Sequence, residues 1–248
     1  MKMNDELVAK LKYLHLGGLI NQWSEHIKLA AQKNFSHSRL LTYVVEQEYR
    51  FKQENALKLR LKRARIPEPL AIETFPFTKQ PKLNKKKIMA LYDTLDYMEK
   101  KQNIIWVGPT GTGKTGMATS FLTHAINQGY SGRYVHFADL IAELFASAAD
   151  HSEEKVLKKY LRCDCLHVDE IGYIQVEPAQ VGLFFTLMQN RHKKKTTLIT
   201  SNLGFSQWDS FLNNAYLTAA LVDRLTESSH VINMKKCVSL RPPLSSVS

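Results

Sequence analysis

Between residues 1 and 69, apolar side chains recur at helical spacing. Leu7, Leu11 and Leu14 lie at i, i+4 and i+7, on one helix face. Gly17-Gly18 interrupts that pattern, and Ile20, Trp23, Ile27 and Ala30 carry a second helix. Ser38 is placed to cap a third, longer helix with an apolar stripe of Leu41, Val45 and Tyr49. Glu46/Arg50, Glu48/Lys52 and Glu54/Lys58 are i, i+4 pairs that favour it. Pro67 and Pro69 stop it. Residues 70–87, with Pro76, Pro81 and Lys85-Lys86-Lys87, have the pattern of an extended connector. Phe75 and Phe77 within it either pack on the next domain or line a base pocket, and packing is the expectation. A helix from about Asn84 to Lys100 follows. Short apolar runs then alternate with helical ones. Ile104–Val107, Arg133–Phe137, Cys165–Val168 and Thr196–Thr200 are predicted strands. Thr115 to about Asn127, Asp139–Ala148 and Ala179–His192 are predicted helices. Such alternation predicts an α/β fold with a parallel sheet covered on both faces. The expected organisation is a small all-helical domain over residues 1–69, the connector, and the α/β domain over residues 88–248.

Charge changes this picture most. The formal net charge is +11. Residues 1–87 hold 18 Lys and Arg against 8 Asp and Glu, whereas residues 88–248 hold 16 against 15. A basic surface kept for solubility need not be segregated, so the asymmetry points to an anionic partner, nucleic acid being the commonest. The predicted third helix ends in Lys58, Arg60, Lys62, Arg63 and Arg65. Cations suit a helix C-terminus, but that accounts for one or two of them. At 248 residues and 44% hydrophobic, the chain can bury a core. Its cysteines, Cys163, Cys165 and Cys237, fit neither a zinc spacing nor a disulfide framework. No apolar run is long enough to cross a bilayer, and the N-terminus lacks a signal-peptide core. The expected setting is the reducing cytoplasm, without a membrane partner.

Candidate chemistry begins at Gly108-Pro109-Thr110-Gly111-Thr112-Gly113-Lys114-Thr115. This is G-x-x-x-x-G-K-T, a phosphate-binding loop, and it has the required context of a strand before and a helix after. Glycines let the backbone curl so that N–H groups wrap a polyphosphate at the positive end of a helix. Lys114 supplies charge for the β- and γ-phosphates, and the Thr115 hydroxyl is placed for Mg²⁺. ATP and Mg²⁺ are the expected cofactors. Further on, the run Cys165-Leu166-His167-Val168 ends in Asp169 and Glu170. Asp169 at the strand tip suits the Mg²⁺ shell beside Thr115. Glu170 points elsewhere and can polarise an attacking water. Two successive acids suit a hydrolase better than a kinase, whose nucleophile is a substrate hydroxyl. His167 reads as a packed core residue. Asn202, after the strand Thr196–Thr200, can orient the lytic water if that strand neighbours Asp169. Arg224 either reaches a neighbouring subunit's γ-phosphate or forms a surface ion pair with Asp223.

Four strings then carry a resemblance: GPTGTGKT, VDEIGY at 168–173, LITSNLGFSQW at 198–208 and LTAALVDRL at 217–225. Together with IETFPFTKQP at 72–81, they resemble the IstB-like transposition helper ATPases. These belong with the helicase-loader and initiator branch of the AAA+ superfamily. The resemblance runs from about residue 5 to residue 241. It implies a helical N-terminal domain and an αβα AAA+ core. It also implies a DNA-stimulated ATP hydrolase that forms homo-oligomers on duplex DNA, mainly through the backbone. Asn202 would be sensor 1 and Arg224 the inter-subunit arginine finger. Such an assembly marks or remodels target DNA and recruits and stimulates a partner transposase. A replicative helicase loader with the same core is the alternative. The family's closing Gly-x-Ser-Tyr-Arg-like string is replaced here by Lys236-Cys237-Val238-Ser239-Leu240-Arg241, with Arg241 one place off.

Overall fold

A computed structural model describes residues 3–68, 70–149 and 151–241. Pro69, expected to help stop the third helix, lies outside them. The chain divides into two compact units, Met1–Leu59 and Arg60–Ser248.

The first unit is helical, with α1 (Asp5–Tyr13), α2 (Gly17–Gln32) and the start of α3 (His37–Ala64). Asn4 caps α1 by accepting the Leu7 N–H at 2.9 Å. Gly17-Gly18 opens α2. A Cβ on Gly18 would lie 2.8 Å from both Glu48 Oε2 and Phe51 Cβ, so only glycine fits. The buried Glu48 accepts the Leu19 N–H at 2.8 Å and thereby satisfies an orphan donor of α2. Two expectations for α3 change. Ser36, not Ser38, caps it, accepting the Arg39 N–H at 3.3 Å. None of the three i, i+4 ion pairs forms among the described residues. The Leu41, Val45 and Tyr49 stripe is exposed, by 68%, 67% and 62%. Tyr43 instead packs edge-on against His26 and Phe35, with ring centroids 5.3 and 5.6 Å away.

In the second unit the connector is not extended. It forms 3-10 turns at Ile72–Thr74 and Phe77–Lys79, with Ile72 and Phe75 buried. The helix expected from Asn84 to Lys100 breaks at Leu95, whose φ of 55° is left-handed, into α4 (Lys85–Thr94) and α5 (Asp96–Glu99). Next come β1 (Asn103–Val107), α6 (Lys114–Asn127), β2 (Gly132–His136), α7 (Phe137–Ala149) and α8 (Glu153–Leu161). The chain continues through β3 (Cys165–Ile171), α9 (Pro178–Arg191), β4 (Thr196–Ser201), α10 (Asp209–Leu212), α11 (Ala215–Thr226) and β5 (Ser229–Asn233). The sheet is parallel throughout, in the order β2-β3-β4-β1-β5. Every position of β1 and β4 is buried, as a strand covered on both faces requires. Leu166, Val168 and Ile199 of the sheet share one apolar core with Phe137, Phe184, Leu187 and Trp208. Among the described residues no helix is long and apolar enough to cross a membrane.

Candidate nucleotide site

The phosphate loop joins β1 to α6. Gly111 and Gly113 have φ of 81° and 91°, where a side chain is strained. A Cβ on Gly113 would also lie 2.6 Å from the Phe75 ring, and one on Gly111 2.5 Å from Ser239 Oγ. Lys114 is buried, and its Nζ donates to the carbonyls of Gly108 and Pro109, both at 2.8 Å. Burial pulls its pKa down, against the opposing charges of Asp169 and Glu170.

Asp169 lies within β3, inside the protein. Its Oδ1 accepts from Thr115 Oγ1 at 3.0 Å and from the Thr200 hydroxyl, and its Oδ2 accepts from Tyr134 OH at 2.8 Å. Burial alone would raise its pKa. Interactions with His167, Thr200 and Tyr134 outweigh burial and hold the carboxyl well below the usual range. His167 is in the core as expected, yet its Nε2 stands 3.5 Å from Asp169 Oδ1. That distance is too long for a good hydrogen bond, and both His167 ring nitrogens are buried without a hydrogen-bond partner among the described residues.

The next residue turns outward for a visible reason. Val168 pairs with Ile199, but the following match is Ile171 with Ser201, so β3 bulges over Asp169 and Glu170. Glu170 takes a left-handed φ of 63°, which costs about 1–3 kcal/mol in a non-glycine residue. Thr200 Oγ1 holds this turn by accepting the Glu170 N–H at 2.9 Å. The Glu170 side chain is left 47% exposed, with its Oε2 3.8 Å from His136 Nδ1.

A cleft of about 370 Å³ collects these groups, lined by Thr110, Gly113, Lys114, Thr115, Glu170 and Thr200 among others. Lys114, Thr115 and Glu170 therefore share one cleft, and Asp169 joins them through its bond with Thr115. Asn202 does not line the cleft; Thr200 holds the β4 position there. The Asn202 amide oxygen is buried without a partner, 3.0 Å from where a Gly172 Cβ would be. Arg224 is also absent from the cleft. Its guanidinium lies 5.1 Å from the Phe185 ring and bonds Gln189 and the Ala220 carbonyl, rather than Asp223.

Several site residues escaped sequence reading. Tyr134 and His136 are two apart on β2, hence on one face, and pair in register with His167 and Asp169. That alternation was the available signal. Tyr173 also lines the cleft, as does Arg241, the arginine already noted as one place off the family's closing string. Arg241 arrives because the Leu240 N–H donates to the Gly111 carbonyl at 2.8 Å. Behind it, buried Gln80 brackets Val238 through its N–H at 3.0 Å and its carbonyl at 2.7 Å.

The IstB-like ATP binding protein family model matches residues 9–243. The chain belongs to this family. Two relatives are each 31% identical to it. The ATP-binding protein of insertion sequence IS5376 from Geobacillus stearothermophilus aligns over 222 residues, 90% of this chain and 88% of that protein. The corresponding IS21 protein from Pseudomonas aeruginosa aligns over 229 residues, 92% and 85%. Among solved structures, DnaI gives a TM-score of 0.53 at 19% identity, over 60% of this chain and 84% of its own. The DnaC helicase loader gives 0.53 at 23%, over 60% and 86%. AMPPCP-bound DnaA from Aquifex aeolicus gives 0.56 at 16%, over 69% and 51%. At such identities the likeness establishes the fold alone, a parallel α/β core with a phosphate loop.

Proposed function

We propose that this IstB-like protein is an ATP hydrolase that assembles on duplex DNA, marks or remodels target DNA, and recruits and stimulates a partner transposase. One observation carries the hydrolase reading: the β3 bulge separates two adjacent acids into two environments. Asp169 is sealed, ionised and in contact with Thr115. Glu170 faces the cleft, where a carboxylate can take a proton from water. Lys114 and the loop amides hold the phosphates. Thr200 is the first candidate to orient the water. Asn202 is the second, from its place beside the Gly172 turn.

The residues fit a magnesium nucleotide. Among the described residues no three His, Cys, Asp or Glu side chains cluster as a metal cage. Mg²⁺ needs none, since it binds through one or two protein oxygens plus phosphates and water. Thr115 Oγ1 and the ionised Asp169 are those oxygens, and the ion would neutralise charge on the phosphates.

Arg224 completes the site from a neighbouring copy, a role supported by its absence from its own chain's cleft. The basic excess supports duplex binding through the phosphate backbone. The insertion-sequence relatives favour transposition over helicase loading, because DnaI and DnaC share only the fold. The free thiols of Cys163, Cys165 and Cys237 suit a reducing cytoplasm. Phosphate release measured across protein concentrations, with and without duplex DNA, tests the whole reading. Specific turnover should rise with both. Equal turnover at every concentration, DNA or none, overturns it.

A further inference from the structure

β5 closes one end of the sheet with β1 as its neighbour. Asn103 N–H donates to the Ser228 carbonyl at 2.9 Å, and Met234 N–H to the Val107 carbonyl at 2.7 Å. Parallel pairing between two strands uses the backbone of alternate residues. Even-numbered positions here therefore bond β1. Ser229, Val231 and Asn233 turn their N–H and C=O groups to the open edge. Among the described residues no segment pairs with that edge.

Beside the edge runs α4. A groove of about 640 Å³ opens between them, larger than the nucleotide cleft. Its apolar wall includes Leu91 and Val231, and Val231 is 47% exposed. An exposed β-branched edge is a template for another strand unless it is blunted. The groove's charge selects the occupant. Lys82 and Lys87 line it, and neither has an ion-pair partner among the described residues. The groove's acid, Asp96, is already held by Lys100 at 2.6 Å. The first turn of α4 is Lys85-Lys86-Lys87 with no acidic residue. Cations there oppose the helix dipole, a cost that an anionic neighbour offsets.

We infer that the β5 edge docks an extended acidic segment of a partner protein, which adds as a sixth strand and sets its carboxylates against Lys82 and Lys87. A nucleic-acid strand matches the lysines but has no run of main-chain donors and acceptors for Ser229, Val231 and Asn233. This inference goes beyond the ATPase reading and uses none of the residues that line the nucleotide cleft.

The test titrates a fluorescein-labelled peptide of alternating glutamate and valine into the full-length protein by fluorescence anisotropy. Saturable binding is expected. N-methylation of alternate peptide amides should weaken it at least tenfold. The double variant Lys82→Glu/Lys87→Glu should weaken it about tenfold. Val231→Pro should act similarly, because the N–H it removes faces the open edge and not β1. Absence of binding, equal binding of the N-methylated or a lysine–valine peptide, or equal competition by a short oligonucleotide overturns the inference. Phosphate release without DNA on the Val231→Pro samples should match the unaltered protein, so failure of the hydrolase reading is read separately.

Discussion

The two compact units hold themselves together differently. In the second, whole strands are buried and one apolar cluster runs through both sheet and helices. In the first, the buried positions among the described residues are Leu11, Gly18, His26 and Glu48. Two of these four are ionisable. A helical unit of this size, with so little apolar burial, is marginal by itself. Its fixed point is polar: a carboxylate on one helix caps the start of another. Charge divides differently from what the sequence pattern suggests. Residues 1–59 hold 9 Lys and Arg against 6 Asp and Glu, whereas residues 60–87 hold 9 against 2. The basic segment thus lies in the unit that carries the nucleotide cleft. Apolar burial and charge both set the small unit apart from the second.

The largest test of this contrast is chemical. Glu170→Gln should lower single-turnover phosphate release by roughly 10²- to 10⁴-fold, the range for one general base. Nucleotide binding should persist, because Lys114 and the loop are untouched. Normal hydrolysis by this variant would assign the base elsewhere.

Next is the polar fixed point. Glu48→Ala strands the Leu19 N–H at the start of α2. It should cost the first unit about 2 kcal/mol, the penalty of an unsatisfied buried group. Hydrogen exchange would show α1 and α2 losing protection while β1 and β4 keep theirs. Loss in both units would mean that the contrast is wrong.

The third test compares charge. Lys62, Arg63 and Arg65 are exposed in the basic segment, and Lys12, Lys33 and Lys52 in the first unit. Lys62→Ser, Arg63→Ser and Arg65→Asn together should lower duplex affinity about tenfold. The salt slope should fall by roughly 0.9 for each phosphate that is no longer neutralised. Asparagine is chosen because Arg65 has a φ of 56°. Serine at Lys12, Lys33 and Lys52 should change the slope little. The reverse ranking would return duplex binding to the first unit.

These tests also mark where the sequence was legible. The phosphate loop was, because a strand, a glycine-rich turn and a helix must follow in that order. β5 was not, since Ser229–Asn233 is short and half-exposed and lacks a strong alternating pattern. The outward turn of Glu170 depends on a bulge, a property of pairing between strands that one strand's residues do not encode. Thr200 was passed over because threonine inside a strand is ordinary; its bond to Asp169 exists only once β3 and β4 are neighbours. In α3 the helical period was legible and the buried face was not. A long helix carries several apolar lines, and the buried one is chosen by the partner helix.

A smaller effect should appear with pH in the second unit. Asp164 is partly buried, which raises its pKa, but Lys195 and Ser131 hold it at about 2, below the ordinary 3.8. A depressed folded-state pKa gives stability that is present above pH 4 and lost as pH falls through 2. Asp164 is about a third exposed, so solvent screening leaves about 1 kcal/mol. Thermal melts should show Asp164→Asn less stable than the parent at pH 6, with the gap closing towards pH 2.

The smallest effect bears most directly on the contrast between units. Helical spacing puts Leu41, Val45 and Tyr49 on one line, and in the structure that line faces out. Exposed positions free of special contacts change stability by less than about 0.5 kcal/mol. Serine at Leu41 and Val45 should therefore leave the melt of dilute protein unmoved. If the melt drops, and drops more at high protein concentration, a second copy covers this stripe, because anything that binds only the folded state stabilises it by mass action. The first unit would then owe its missing apolar burial to assembly, and the contrast with the second would belong to the monomer alone.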